Sequence, residues 1–179
     1  QFYFEQNVFP TVSCERELIL GGTVGEGKWI CDPHRIPKDD CLVYSIGSNN
    51  DFKFEEDVLR EISPKCEIHT FDHTVGLSPS NKPRNVYFHP WGLASRTTAA
   101  TKSLKDVMFS LGHENRTIDI FKIDCEGCEW DTFSSWLERG NIRQIQVELH
   151  GHGGSGESYS IISGAPMGSS GVEKWRHKK

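Results

Sequence analysis

The sequence has no long apolar run and no excess of positive charge. Its 179 residues are 36% hydrophobic and carry a net charge of −5 at pH 7. No apolar stretch approaches the roughly 18 residues that a membrane-spanning helix needs. The mild acidity argues against the phosphate backbone of a nucleic acid as the main partner. We therefore expect a globular domain with a sizeable core, with no membrane span in this chain and no nucleic-acid partner.

Cysteine is too sparse for a fold that is built on disulfides. The six cysteines are an even number, but disulfide scaffolds are denser. Only Cys125 and Cys128 have C-x-x-C spacing, and without a second pair they cannot complete a tetrahedral zinc site. We interpret them as two half-buried thiols rather than a thioredoxin-like motif, which would follow an early strand. Cys31 and Cys41 bracket a proline-containing loop, and whether they form a disulfide is left open.

Apolar segments alternate with amphipathic ones in the middle of the chain. The patterns predict strands at 41–46, 67–72, 85–89, 118–123 and 142–150. Helices are predicted between them, at 54–62, from Ser103 to about 111, and at about 130–139. Strands joined by helices form parallel, right-handed crossovers. We therefore predict an α/β fold with a mainly parallel sheet and helices on both faces.

Three of the predicted strands end in a glycine or an acid. Gly47 follows the first, Asp72 ends the second, and Asp124 follows the fourth. Asp124, Glu126 and Glu129 surround a glycine and are expected to face a cleft. The carboxyl ends of parallel strands meet at one edge, where open α/β sheets bind ligands, and Asp72 has nearly the spacing from Gly47 at which an acid reaches a ribose hydroxyl. This edge is therefore predicted to bind an adenosine-containing ligand.

The first turn lacks the G-x-G-x-x-G pattern by which dinucleotide folds approach a pyrophosphate. Residues 47–52 contain one glycine, and Glu55, Glu56 and Asp57 follow at the start of the next helix. These charges would oppose a pyrophosphate. S-adenosylmethionine carries an ammonium and a sulfonium group, so the turn suits this methyl donor better than NAD.

Residues 118–129, IDIFKIDCEGCE, resemble the lysine-isoleucine-aspartate-x-glutamate-glycine-x-glutamate signature of FkbM-type methyltransferases. Residues 70–72 are similar to their aromatic-acid ribose motif, 85–94 to their third strand and its turn, and 148–150 to the end of their fifth strand. Residues 29–33 and 41–49 look more like the animal methyltransferase-like relatives of that group. The resemblance covers about 28–150.

The resemblance implies a Rossmann-like methyltransferase fold that binds S-adenosylmethionine at the carboxyl ends of the strands. Gly47 would let the backbone approach the methionine part, Asp72 would hold the ribose hydroxyls, and Asp124 would lie by the donor amino group or the acceptor. Ser45 departs from the pattern, since many methyltransferases carry an acid there. The residues expected at the cofactor are Gly47, Ser48, Asn49, Asp72, His73, Gly92, Asp124 and Glu126.

The expected reaction is methyl transfer to an oxygen of a small-molecule or glycan-like acceptor. The protein aligns the acceptor and removes the proton of its hydroxyl. We select Asp124, Glu148 and His150 as the catalytic candidates, because His150 ends a strand and titrates nearest neutral pH. No metal is assigned, although these three residues could chemically hold a hard or borderline cation. The acceptor itself and the oligomeric state are not specified by the sequence.

The two ends of the chain differ in composition from the middle. Residues 1–30 are predicted to be a lead-in with a short helix at 15–20, and 31–150 to be the methyltransferase-like domain. Residues 151–179 are rich in glycine and serine and are predicted to be largely disordered, with a strand feasible only at 159–162. The sixth and seventh strands of the fold are not visible after His150, which leaves open whether the C-terminal strands are missing.

Two other functions stay open on these grounds. The missing strands favour a non-catalytic relative that keeps the fold as a binding module, whereas an NAD-dependent enzyme is disfavoured by the missing glycines. The sequon Asn115-Arg116-Thr117 has meaning only in the secretory pathway. Together with a disulfide between Cys31 and Cys41, it would slightly favour a secretory over a cytoplasmic location.

Overall fold

The computed structural model describes residues 13–23, 26–77, 79–137, 141–150, 156–163 and 172–175, with backbone alone at 137 and beyond 150. The helices are α1 (Lys53–Asp57), which continues as a π-helical turn over Val58–Ile62, α2 (Leu104–Leu111) and α3 (Cys128–Leu137). The strands are β1 (Glu17–Leu20), β2 (Lys28–Cys31), β3 (Leu42–Ile46), β4 (Glu67–Phe71), β5 (Val86–His89), β6 (Gly92–Leu93), β7 (Thr101–Lys102), β8 (Ile120–Ile123), β9 (Gln144–His150), β10 (Gly156–Ser163) and β11 (Val172–Trp175).

Within the described part of the chain, seven strands form one sheet in the order β11-β10-β9-β8-β3-β4-β5. Neighbours from β9 to β5 are parallel, whereas β10 pairs antiparallel with β9 and with β11. The predicted α/β fold with a mainly parallel sheet is therefore confirmed. Chain order reverses between β3 and β8, and open α/β sheets bind ligands at such a switch point.

Alternating side chains of the parallel strands build one core on each face of the sheet. Leu42 and Tyr44 of β3 lie in the core that α2 and α3 cover, whereas Val43 lies in the core that α1 and the β1–β2 hairpin cover. Burial on both faces is typical of parallel strands, and it explains their continuous apolar runs. The expectation of helices on both faces is confirmed.

The β1–β2 hairpin replaces the short helix that the sequence predicts at 15–20. Leu18 to Leu20 pair with β2 in an antiparallel ladder, and this pairing outweighs the weak local helix signal. The side-chain amide of Gln144 accepts from the N–H of Cys31 and donates to its carbonyl, both at 3.1 Å, so the hairpin is fixed on β9. The polar residues of β9 are therefore covered rather than exposed.

Two strands lie in the segment that the sequence predicts as a largely disordered tail. β10 includes the feasible strand at 159–162 and pairs with the whole length of β9, while β11 extends the sheet once more. Two further strands of the sheet thus follow His150. These strands are held by backbone hydrogen bonds to the edge of the existing sheet. Because such bonds do not depend on apolar side chains, the sequence shows little apolar pattern there. The boundaries at residues 30 and 150 stay predictions, and the rest of 151–179 lies outside the described residues.

All six cysteines form disulfides, and the pairing differs from the expectation. Cys31 pairs with Cys14 rather than with Cys41, and Cys41 pairs with Cys66. Cys41 and Cys66 directly precede the neighbouring parallel strands β3 and β4, so their Cα atoms lie 4.7 Å apart. The interpretation of the two C-x-x-C cysteines as thiols is also wrong, because they form the third disulfide. Sequence spacing does not reveal which strands become neighbours.

The carboxyl ends of β3 and β8 touch at Gly47. Its φ is +79°, and a Cβ added there would lie 1.7 Å from the carbonyl oxygen of Asp124. The Asp124 N–H donates to the Ile46 carbonyl at 3.0 Å, so the two strand ends cannot separate without losing a ladder bond. Only glycine fits between them.

Replacing Gly47 by alanine is expected to lower the free energy of unfolding by at least about 3 kcal/mol, because the added methyl group must push the two strand ends apart. Urea unfolding followed by circular dichroism measures this loss. Gly112→Ala is the matched control: Gly112 has a φ of +72°, but an added Cβ there meets nothing within 4 Å. The control should lose only about 1 kcal/mol, and equal losses in the two variants would contradict the steric argument.

Candidate functional site

A cleft of about 640 Å³ opens at the carboxyl ends of β3, β4 and β8. Its volume lies in the usual range for small-molecule sites. Glu148 and His150 are not among the described residues that line it, although Nε2 of His150 lies 3.7 Å from Oδ1 of Asp124, which does line it. All eight residues predicted at the cofactor line the cleft, namely Gly47, Ser48, Asn49, Asp72, His73, Gly92, Asp124 and Glu126. Their contact with a ligand stays a prediction.

The lining of the cleft combines apolar walls with an excess of acids. The apolar walls include Leu20, Ile46, Phe54, Phe71 and Leu93. The charged lining residues are Glu26, Asp51, Asp72, Asp124 and Glu126 against Lys28, Lys53 and Lys122. Because carboxylates outnumber ammonium groups, the cleft favours a ligand that carries positive charge.

Asp72 fixes the turn that follows β3. One carboxylate oxygen accepts from the N–H groups of Ser48 and Asn49, at 2.9 and 2.8 Å, and from the Ser48 hydroxyl at 3.2 Å. The other accepts from the N–H and the hydroxyl of Thr74, at 2.9 and 2.7 Å. Burial by itself would raise the pKa of Asp72, but these hydrogen bonds outweigh it and lower the pKa to about 2.

Lys122 supports the same turn from inside the sheet. Its ammonium group donates to the carbonyl of Gly47 and lies 3.4 Å from that of Ile46. Burial lowers the pKa of Lys122, and the nearby charges of Asp124 and Glu55 oppose that shift. Lys122 is not among the site residues predicted from the sequence, although a cation inside an otherwise apolar strand is a visible signal.

Glu129 faces the protein interior rather than the cleft, which corrects the expectation for this residue. It is fully buried, and its carboxylate accepts from the N–H groups of Cys125 and Gly127, at 2.9 and 2.7 Å. The same carboxylate lies 3.0 Å from Nδ1 of His150. Glu129 therefore fixes both the turn after β8 and the orientation of the imidazole.

The structure brings the three predicted catalytic residues together. Nε2 of His150 lies 3.7 Å from Oδ1 of Asp124, 3.5 Å from Oε1 of Glu126 and 3.9 Å from Oε1 of Glu148. We call these four residues the acid–histidine cluster. Burial by itself would lower the pKa of His150. The carboxylates of Glu129, Glu126 and Asp124 raise it by more than burial lowers it, so the net shift of the pKa is upward.

Lys28 reaches this cluster from the β1–β2 hairpin. Its ammonium lies 2.5 Å from Oε2 of Glu148 and 3.3 Å from Oδ2 of Asp124, and it is buried. Lys28 was not predicted at the site. It precedes Glu148 by 120 residues in the chain, and it belongs to the segment that was predicted to be a lead-in.

A parallel α/β sheet with a ligand-sized cleft at its switch point defines a Rossmann-like α/β architecture. A family model described as a methyltransferase domain matches residues 1–170, and the chain belongs to this methyltransferase family. The expected resemblance to a methyltransferase-like family is thereby confirmed. No curated protein and no solved structure matches the chain. Among the described residues, no helix is long and apolar enough to cross a membrane.

The depressed pKa of Asp72 predicts how stability depends on pH. A carboxylate whose pKa is about 2 when folded and about 3.9 when unfolded stabilises the folded state above pH about 4, and this contribution is lost as the pH falls towards 2. Asp72→Asn is therefore expected to lower the free energy of unfolding at neutral pH by about 2 kcal/mol and to weaken its dependence on acid pH. Urea unfolding at several pH values tests this.

The control for this experiment is Glu56→Gln, which removes an exposed carboxylate of α1. Its stability curve should follow that of the wild type. If Asp72→Asn lost as much stability at pH about 2 as at pH 7, the effect would not come from the ionised carboxylate.

Proposed function

We propose that this methyltransferase uses S-adenosylmethionine and transfers its methyl group to an oxygen of a small-molecule or glycan-like acceptor. One observation carries the proposal: a single cleft, whose charged lining residues are mainly acids, gathers all eight residues that the sequence predicts at the cofactor. The cleft lies next to the three predicted catalytic residues, so donor and acceptor groups could meet at Asp124.

The charge of the cleft supports a sulfonium donor over a dinucleotide. The turn after β3 has one glycine rather than the three that let a backbone approach a pyrophosphate. The first turn of α1 also carries Glu55 and Glu56, whose negative charges would repel a pyrophosphate. The methionine part of S-adenosylmethionine needs only a close backbone approach, which Gly47 provides. Its ammonium and sulfonium groups would be attracted by the carboxylates that line the cleft.

Asp72 can accept ribose hydroxyls without releasing the turn that it fixes. Three of its five hydrogen bonds come from backbone N–H groups, which are fixed, and two come from the hydroxyls of Ser48 and Thr74. Either hydroxyl can rotate away. In this proposal the ribose hydroxyls replace them on the carboxylate, and the turn keeps its shape.

The reaction in this proposal is an in-line displacement at the methyl carbon. The acceptor oxygen forms a bond to carbon while the sulfur–carbon bond breaks, and S-adenosylhomocysteine leaves as a neutral thioether. The proton of the acceptor hydroxyl passes to the acid–histidine cluster and then to water. Asp124 and Glu126 border the cleft, so an acceptor held between them and the donor would be aligned for attack.

Neither of the two alternative functions, a non-catalytic binding module and an NAD-dependent enzyme, gains support from the structure. The binding-module hypothesis depended on missing C-terminal strands, and β10 and β11 are present. The NAD hypothesis faces the single glycine of the turn and the acids of the cleft. The location of the protein has new support, although the Cys31–Cys41 disulfide is not formed. Three other disulfides and the exposed asparagine of the sequon, Asn115, favour an oxidising, secretory compartment.

Titration calorimetry with S-adenosylhomocysteine, S-adenosylmethionine and NAD tests the donor. We expect the first two to bind and NAD not to bind. Asp72→Asn should weaken S-adenosylhomocysteine binding by about tenfold or more, since a charged hydrogen-bond acceptor contributes about 1.5–3 kcal/mol. Glu56→Gln removes an exposed carboxylate that is not among the described lining residues of the cleft, so its affinity should match the wild type. Equal affinities in all three proteins would exclude the ribose role.

Transfer of a labelled methyl group to hydroxylated small molecules and oligosaccharides tests the reaction. His150→Gln should keep S-adenosylhomocysteine affinity, because His150 is not among the described lining residues, and should slow transfer by about 100-fold or more. His34→Gln, at an exposed histidine, is the control. Donor binding without transfer to any acceptor would instead favour the binding module.

A further inference from the structure

Three carboxylate oxygens of the acid–histidine cluster lie near Nε2 of His150, beside the cleft. Nε2 of His150 lies 3.5–3.9 Å from one oxygen each of Glu126, Asp124 and Glu148. These separations exceed the usual N–H···O hydrogen-bond length of about 2.7–3.2 Å. Two ligands that share one metal ion at bond lengths of about 2.1–2.4 Å lie about 3.0–3.9 Å apart at octahedral or tetrahedral angles.

We propose that Asp124, Glu148 and His150 bind a divalent metal cation. One ligand atom from each of the first three residues lies within 4.8 Å of the others. Carboxylate oxygens with one imidazole suit a hard or borderline cation such as Mn²⁺ or Zn²⁺.

The residues around these ligands are arranged as in protein metal sites. A metal-binding histidine usually donates its second ring N–H to a carboxylate, which fixes the ring. Glu129, fully buried, takes this position at Nδ1 of His150. The His150 side chain is only one-tenth exposed, so Nε2 is held towards the acids.

Lys28 contacts the cluster without occupying its centre. It meets Oε2 of Glu148 and Oδ2 of Asp124, whereas the oxygens that face His150 are Oε1 and Oδ1. In both carboxylates the oxygen that contacts the lysine therefore differs from the oxygen that lies near Nε2 of His150. Lys28 acts as a positioning residue for the two acids.

The charges leave room for a divalent cation. Asp124, Glu126, Glu129 and Glu148 contribute four negative charges, and the ammonium groups of Lys28 and Lys122 lie near Asp124, at 3.3 and 4.0 Å. Carboxylates therefore outnumber ammonium groups around Nε2 of His150, and this excess of negative charge attracts a cation.

Two other groups of similar composition lack this arrangement. In the Glu67–His69–His113 group, Arg116 already pairs with Glu67, and His69 and His113 lie 2.9 and 3.1 Å from the same carboxylate oxygen, at hydrogen-bond distance. Their other ring nitrogens contact His89 and Tyr44 at 2.8 Å. The Glu15–Asp32–His34 group lies at the surface, where Arg35 pairs with Glu15.

Cation binding would change the role of His150 in the proposed reaction, and this step rests on the proposed function. With Nε2 bonded to the metal, the imidazole is a ligand rather than a base. A bound cation lowers the pKa of a hydroxyl that coordinates it, so an acceptor hydroxyl at the mouth of the cleft would ionise more readily and its proton would pass to water.

Titration of the metal-free chain with Mn²⁺, followed by the loss of the free-ion electron paramagnetic resonance signal, tests the proposal without any donor or acceptor. We expect one saturable site per chain. Glu148→Gln and His150→Gln should each abolish it or weaken it more than tenfold, and Glu129→Gln should weaken it by about 10–100-fold. His34→Gln should bind as the wild type does. A Zn²⁺ titration by calorimetry repeats the series.

Circular dichroism must show that each variant is folded. The proposal is overturned if the folded wild type binds neither Mn²⁺ nor Zn²⁺ saturably at millimolar concentration, or if Glu148→Gln and His150→Gln bind as tightly as the wild type does. Cation binding without S-adenosylhomocysteine binding would refute the donor assignment and leave the metal site intact. Binding of S-adenosylhomocysteine without cation binding would refute the metal site and leave the donor assignment intact.

Discussion

The contact between Gly47 and the Asp124 carbonyl governs the arrangement of the cleft. The space there is too small for a single methyl group, so the ends of β3 and β8 meet backbone to backbone. Lys122 reinforces the contact by donating to the Gly47 carbonyl. Because the chain order of the sheet reverses between these two strands, the turns that follow them diverge from a shared point, and the cleft lies between them.

Buried charges, more than apolar contacts, fix the two turns. Asp72 fixes the turn after β3 through backbone N–H groups of Ser48 and Asn49, and Glu129 fixes the turn after β8 through those of Cys125 and Gly127. A carboxylate that accepts several N–H bonds is strongly favoured in its ionised form. The acids of the methyltransferase signature thus divide into one that shapes the backbone, Glu129, and two that border the cleft, Asp124 and Glu126.

The sequence predicted the parts of the fold that depend on local pattern. Apolar runs buried on both faces identified the five parallel strands, and the helix predicted from Ser103 to about 111 matches α2, which Ser103 caps and Gly112 ends. The β1–β2 hairpin, the full length of β10, β11 and the cysteine pairs were not predicted, because each depends on which distant segments become neighbours. In the site, the acids and His150 followed from strand ends, whereas Lys28 and the inward orientation of Glu129 required coordinates.

The pairing of Lys28 with Glu148 bears on how the protein is made. The two residues are 120 positions apart, and ribosomes add about 5–20 residues per second, so the hairpin waits roughly 6–24 s for β9 to be synthesised. The Cys14–Cys31 disulfide spans only 17 positions and can close during that interval. An early covalent link would keep the nascent hairpin folded until the strand that receives it has emerged.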